Sequence, residues 1–309
     1  MLPHFYNFLA FDFYYVIIPK LIMKNKISIK KIWLEAFSVM LKKPVIILPF
    51  VFIAFFESLA LETIFFSTQK PLSFVFNPIV RKFFGETFLH YPGNFFLLQK
   101  LFYFTQIVIY VFLGVFMMSM CVNAVKNAKS DLPLKMSAMA KNALKRYGAL
   151  ILFGIIVIIL IVLSNKLVAF IFSKIMIRVV KFMPKMASSM YLVGISLFSF
   201  LANIVLQIFI VMTIPLMVIQ KKALFKAFWK SICMGARNFF GIFMIILLPS
   251  LVYAPVTLSK SIIPILIDKT FPEISAIVTL IGIVVAVFVD SFILVCAALI
   301  VMNEEKSNV

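Results

Sequence analysis

Six long apolar runs dominate the chain, at about 44 to 66, 101 to 122, 148 to 172, 190 to 219, 239 to 263 and 274 to 302, with shorter polar and basic stretches between them. A helix needs roughly 20 mostly apolar residues to cross a hydrocarbon core of about 30 Å, and each run meets that length. Backbone N–H and C=O groups in lipid must be satisfied within the segment, and the runs lack the alternation of a barrel strand. The pattern predicts an all-α fold, a polytopic membrane helical bundle of about six transmembrane helices. The chain then divides into an N-terminal extension or interfacial segment at 1–22, a six-span membrane domain at 23–302 and a short polar tail at 303–309. The extension carries Asp12 in an apolar stretch and lacks the basic start and small-residue cleavage site of a signal peptide. Met23-Lys24-Asn25-Lys26 itself reads as an ordinary N-terminus.

Short amphipathic segments precede the first, third and fifth runs. In the first, Ile29, Trp33, Ala36 and Met40 share one helical face, while Lys31, Glu35, Ser38 and Lys42 share the other. In the second, Met136, Ala140, Ala143 and Tyr147 oppose Lys141 and Lys145. In the third, Phe225, Phe228, Ile232 and Ala236 oppose Lys222, Lys226 and Lys230, with Trp229 placed to anchor at headgroup depth. Three units of interfacial helix, span, outer connection and span are the expected organisation, an internal repeat. The alternative is that any basic loop beside a span looks amphipathic.

Composition agrees with lipid as the solvent: 64% of 309 residues are apolar and 13% charged, with a mean hydropathy of +1.12. The formal charge of +19 comes from 26 Lys and 4 Arg against 11 acids. Without any recognition motif this charge points to anionic lipid headgroups and the bilayer as partners, not to nucleic acid. Seven basic residues lie between Lys20 and Lys43, six between Lys126 and Arg146, and five between Lys221 and Arg237. The positive-inside rule then places these segments, and both termini, on the cytoplasmic side of a cell (inner) membrane. Cys121, Cys233 and Cys296 are far apart, and with only His4 and His90 they offer no metal spacing and no disulfide framework.

Ionisable groups inside a bilayer cost at least roughly 2.5 to 3.5 kcal/mol on insertion scales, so they face the bundle interior, pair or line water. Glu57 and Asp290 are expected at similar depth on the first and last spans. Ser199, Asn203 and Gln207 fall on one face of the fourth. The candidate intramembrane site is Glu57, Asp290, Asn203 and Gln207; the competing role is hydrogen bonding that holds the bundle together. Pro215 is expected to end the fourth span, and Pro249 and Pro255 to kink the fifth. Glu62 is expected at the outer interface. In the long outer connection, His90 and Glu86 read as an ordinary interfacial pair. With no phosphate loop, nucleophile elbow or metal motif, neither catalysis nor a cofactor is expected.

Pro215-Leu216-Met217-Val218-Ile219-Gln220, Ala227-Phe228-Trp229-Lys230-Ser231 and Arg237-Asn238-Phe239-Phe240 resemble the YciC-like family, and the related membrane domain attached to some glycerophosphoryl diester phosphodiesterases. The phrase recurs as Glu35-Ala36-Phe37-Ser38 and Asn142-Ala143-Leu144-Lys145-Arg146. Gln220 stands where the family usually carries an acid, and the second unit lacks the Ser. The resemblance implies a six-span bundle of poorly defined role, without the separate catalytic domain of the phosphodiesterase variant. The leading expectation is a non-enzymatic membrane protein acting through its lipid-facing surfaces in envelope or lipid homeostasis. The alternative is a transporter or ion-coupled permease using Glu57 and Asp290.

Overall fold

The apolar runs become helices because each must close its own backbone hydrogen bonds, and the interruptions between them fall at prolines and at left-handed residues. A computed structural model describes residues 28–91, 93–180, 187–267 and 273–307. Among these, α-helix dominates and no strand occurs. The helices are α1 (Ile29–Lys42), α2 (Leu48–Phe65), α3 (Ser73–Phe83), α4 (Gly93–Ile109), α5 (Val115–Lys129), α6 (Met136–Leu144), α7 (Tyr147–Val180), α8 (Ala187–Ile210), α9 (Thr213–Val218), α10 (Leu224–Arg237), α11 (Phe239–Ser250), α12 (Ala254–Ile267) and α13 (Ile274–Ser307). The expected extension at 1–22 lies outside the described residues. Residues 303–307 are no separate tail: they form the last turns of α13.

Five helical segments are long and apolar enough to cross a membrane: Leu48–Thr68, Gly93–Lys129, Tyr147–Ile175, Val193–Val218 and Ile274–Glu305. A sixth exists if α10 and α11, bent by 94° at their junction, are taken together. The fifth run is broken, not merely kinked. Pro249 and Pro255 cannot donate backbone hydrogen bonds, and the chain between α11 and α12 turns through residues 251–253 with short-range bonds, including Tyr253 N–H to Ser250 O at 2.9 Å. Pro215 likewise does not end the fourth span. Its missing N–H frees the carbonyl of Val211, so the interruption falls at 211–212 and Pro215 sits buried inside α9. In the second span α4 passes into α5 through a π-helical turn at Tyr110–Gly114. A Cβ at Gly114 would stand 3.1 Å from Tyr110 Cδ1, so the glycine leaves room for that ring.

The helices pack in a cyclic order. α5, α9 and α13 touch one another at the centre. α2 packs on α13, α7 on α5, and α11 on α8. The amphipathic helices follow the same order, α1 against α13, α6 against α5, and α10 against α8 and α9. Each presents a fully buried alanine to its neighbours, Ala36, Ala143 and Ala227. In α10, a Cβ at Gly235 would lie 2.6 Å from the carbonyl oxygen of Ile208, and Ser231 Oγ donates to Phe209 O at 2.7 Å, so the two backbones nearly touch.

The faces that these helices pack on the bundle are set by close approach as well as by apolarity. In α10 the buried set is Leu224, Ala227, Ser231, Met234 and Gly235, while Phe225 is 72% and Trp229 60% exposed. Close approach selects small residues for the inner face and leaves the large aromatics outside. In α1 the core contacts come from Ile32, Ala36 and Met40, with Ile29 and Trp33 partly buried. Leu34, Phe37 and Leu41 form an exposed apolar stripe. In α6 the buried residues are Met139 and Ala143.

A basic residue just before each odd-numbered span reaches the C-terminal end of the following even-numbered one, where free carbonyls and the helix dipole favour a cation. Lys43 donates to Ala128 O at 3.2 Å and lies 3.7 Å from Asp131. Arg146 donates to Met217 O at 2.6 Å, Lys222 O at 3.1 Å and Lys221 O at 3.2 Å. Arg237 lies 3.5 Å from Glu304, which also takes Lys230 at 2.9 Å. Lys129 and Glu35 pair as well, tying α5 to α1.

Candidate functional site

Two of the interruptions deliver polar side chains to one space. The π-helical turn adds a residue to the second span and begins at Tyr110, one turn after Gln106. The break between α11 and α12 brings Ser250, Tyr253 and Lys260 to the same space. α8 contributes Asn203 and Gln207, four residues apart, and α13 contributes Gly282, Ala286 and Asp290 at the same spacing. Together these groups line a cavity of about 230 Å³, to which Phe200, Ile204 and Ile283 add apolar surface.

The four expected site residues are gathered here, three of them as lining. Asp290, Asn203 and Gln207 border the cavity, whereas Glu57 stands one layer behind, 2% exposed. Gln106 Nε2 donates to Glu57 Oε1 at 2.8 Å, and Tyr110 OH donates to Asp290 Oδ2 at 3.2 Å. Gln106 and Tyr110 are four residues apart on the second span, so neighbouring turns of one stretch of helix hold the two acids. Asn203 Nδ2 donates to Asn165 Oδ1 at 3.3 Å, while Asn203 Oδ1 is buried without a partner. Ser199 is not part of the lining.

Gln106, Tyr110, Ser250, Tyr253 and Lys260 belong to the site although the sequence did not single them out. Lys260 carries the signal that selected Glu57 and Asp290, a charge inside an apolar run. Gln106 and Tyr110 carried the i, i+4 signal that marked Asn203 and Gln207. Ser250 and Tyr253 carried none, because the turn that aims them is visible only once the fifth run is seen to break.

The surface lysines divide. Lys31, Lys42, Lys141, Lys145 and Lys226 are exposed. Lys230 is drawn inward to Glu304 and to Gln220 Oε1 at 3.1 Å, so it is not a free headgroup contact. Partial burial, with the Lys230 ammonium close by, holds Lys222 below its ordinary pKa. Trp229 is exposed, as an anchor must be. In the outer connection Glu86 pairs with Arg81 at 2.8 Å, not with His90. Residues 86–89 form a 3₁₀ turn, which removes the α-helical i+4 relation on which the expected pair depended. Glu62 is exposed, and Cys121 and Cys296 are buried fillers.

Among the described residues no cluster of His, Cys, Asp and Glu could hold a metal ion. The cavity lining offers one carboxylate, one ammonium, three amides, two phenols and one hydroxyl, with the Glu57 carboxylate behind it, groups that act by charge and hydrogen bonding. Compared with known protein families, with curated proteins and with solved structures, the chain matches none.

Proposed function

We propose that this chain is a multi-pass protein of the cytoplasmic membrane, both termini cytoplasmic, that takes a small charged solute into the cavity between its spans and passes it across. The observation that carries the reading is the convergence of Asp290, Asn203, Gln207 and Lys260 on one internal space, with Glu57 held behind it by Gln106. Polar groups that serve only as glue between helices pair with one another and fill the space between them. Here they surround about 230 Å³, and broken helices in transporters build solute sites in this way. The role is non-enzymatic, since no side chain among these is placed as a nucleophile beside a base.

The cyclic packing and the three alanines support an origin in three repeated units of interfacial helix and two spans. They also give a physical reason for the resemblance to the YciC-like family: the Ala and Ser of its phrase, Ala227 and Ser231, are the residues that let α10 approach α8.

A thermal-unfolding screen of the full chain in nanodiscs tests the reading. Ammonium, butylamine, butanoate and 4-aminobutanoate are each added at millimolar concentration. A ligand at 100 times its Kd stabilises by about 2.7 kcal/mol, so at least one should raise the midpoint by several degrees, and Asp290→Asn should abolish that shift. If none of the four shifts the wild type, the solute reading is wrong.

A second reading rests on the surface. α10 meets α11 at 94° and exposes Phe225, Trp229 and Lys226, and α1 exposes Leu34, Phe37 and Leu41 beside Lys31 and Lys42. A helix of that make-up lies along the headgroups of an anionic leaflet and would act in lipid or envelope homeostasis. Equal stability of the purified protein in anionic and neutral bilayers, unchanged by neutralising Lys222 and Lys226, would refute it.

A further inference from the structure

We infer that the cavity is built for a zwitterion, a small molecule carrying an ammonium group and an anionic group at its two ends. This deepens the solute reading and rests on it.

The two poles lie on opposite parts of one helix face. Gly282, Ala286 and Asp290 follow at i, i+4 and i+8 on α13 and all border the cavity. Gly282 and Asp290 are separated by about 12 Å along the helix axis. At the Asp290 end, one carboxylate oxygen accepts from Tyr110 OH and the other has no protein donor among the described residues. At the Gly282 end stands Lys260. Its ammonium has no carboxylate within 4.0 Å among the described residues. A Cβ at Gly282 would stand 2.9 Å from Val256 Cγ1 and 3.5 Å from both Lys260 Nζ and Tyr253 Oη. The missing side chain spares a close contact with Val256 and leaves free the space next to the ammonium and the phenol, which a Cβ would touch at ordinary contact distance.

Each single-charge ligand leaves one pole unsatisfied. A lone cation answers Asp290 but meets Lys260 in the same space. A lone anion answers Lys260 and meets Asp290. Glu57 offsets the Lys260 charge only from a distance, since it stands behind the lining, hydrogen-bonded to Gln106, and no ion pair within 4.0 Å joins it to that ammonium. Charges between apolar helices interact more strongly than in bulk water, so the mismatch weakens binding. A molecule with both charges meets both poles, with Asn203 and Gln207 between them to take up polar atoms of its middle. The volume fits such a ligand. About 230 Å³ is the liquid share of roughly eight waters, below the roughly 300 to 1,000 Å³ of pockets for drug-sized molecules.

The same chemistry can arrive as a free solute or as the headgroup of a zwitterionic lipid, and the test separates them. Full-length protein in phosphatidylglycerol nanodiscs is titrated with 4-aminobutanoate, butylamine and butanoate. 4-Aminobutanoate should bind at least tenfold more tightly than either relative. Lys260→Met should reduce that preference over butylamine to within threefold, and Asp290→Asn should do the same for butanoate. Gly282→Ala, which leaves both charges in place, should weaken 4-aminobutanoate by at least fivefold. In nanodiscs containing phosphatidylethanolamine, competition against 4-aminobutanoate assigns the site to the lipid headgroup, and unchanged affinity assigns it to the free solute; both support a zwitterion. Binding of butylamine or butanoate as tight as that of 4-aminobutanoate overturns the inference while leaving the solute reading intact. Binding of none of the three overturns both.

Discussion

Gly235 shows how much a single residue decides in this protein. It faces the carbonyl of Ile208 so closely that the smallest side chain would enter the backbone of α8. A main-chain carbonyl cannot turn aside as a flexible side chain can, so α10 would have to move away from its neighbour. Gly235→Ala should therefore destabilise by about 1 to 3 kcal/mol, the usual cost of overpacking, read as a lowered unfolding midpoint in detergent micelles. Gly148, with open space around it, is the control: Gly148→Ala should cost nothing measurable. An equal loss in both would show that close packing is not the cause. Gln106 acts in another way, as the donor that allows Glu57 to be buried. Gln106→Leu leaves a buried carboxylate without its hydrogen bond and should destabilise by about 1 to 3 kcal/mol, whereas Gln106→Glu should be worse because it sets two acids side by side.

At the scale of elements, the ends of the even-numbered spans are fastened by cations from the start of the odd-numbered ones. Glu304 is the most connected of these fastenings, since both Lys230 and Arg237 of α10 reach it at the end of α13. Its side chain is 14% exposed and theirs are 24% and 31%, so the pairs are shielded only in part. Glu304→Gln should cost about 0.5 to 1 kcal/mol at low salt, and less in 1 M salt, where screening acts over about 3 Å. Thermal unfolding at the two salt concentrations checks this, and a loss independent of salt would assign the effect to packing. The amphipathic helices also show what helical periodicity can and cannot convey. Helices stand where it placed α1, α6 and α10, but it does not tell which face of α10 packs on the bundle. Hydrophobicity alone favours Phe225 and Phe228 for the interior. The close approach of two backbones favours Ala227, Ser231 and Gly235 instead, and a moment of hydrophobicity does not register that condition.

For the whole molecule, α1 lies against α13, with Trp33 and Phe37 touching Phe292, and α3 belongs to the connection between the first two spans. An even number of crossings follows if the broken fifth run counts as one. Cysteine labelling tests it in a background with Cys121, Cys233 and Cys296 replaced by alanine. Lys31→Cys and Glu305→Cys should react with an impermeant thiol reagent in inverted vesicles only, and Arg81→Cys in intact spheroplasts only. Opposite behaviour of Lys31→Cys and Glu305→Cys would mean an odd number of crossings.

The sequence by itself determined the class of fold, the positions of the spans and the basic helices that precede three of them. These follow from local rules, the length of an apolar run and the period of its polar residues, which neighbouring helices do not alter. It also selected Glu57, Asp290, Asn203 and Gln207, because a polar group in an apolar run is costly wherever the run packs. Only the tertiary structure decided that Asp290, Asn203 and Gln207 border one cavity, that Glu57 stands behind it, and that Lys260 and Tyr253 complete it. Those relations depend on where helices break and how closely their backbones approach. Such distances join residues far apart in the chain, such as Tyr110 and Asp290, and no local pattern contains them.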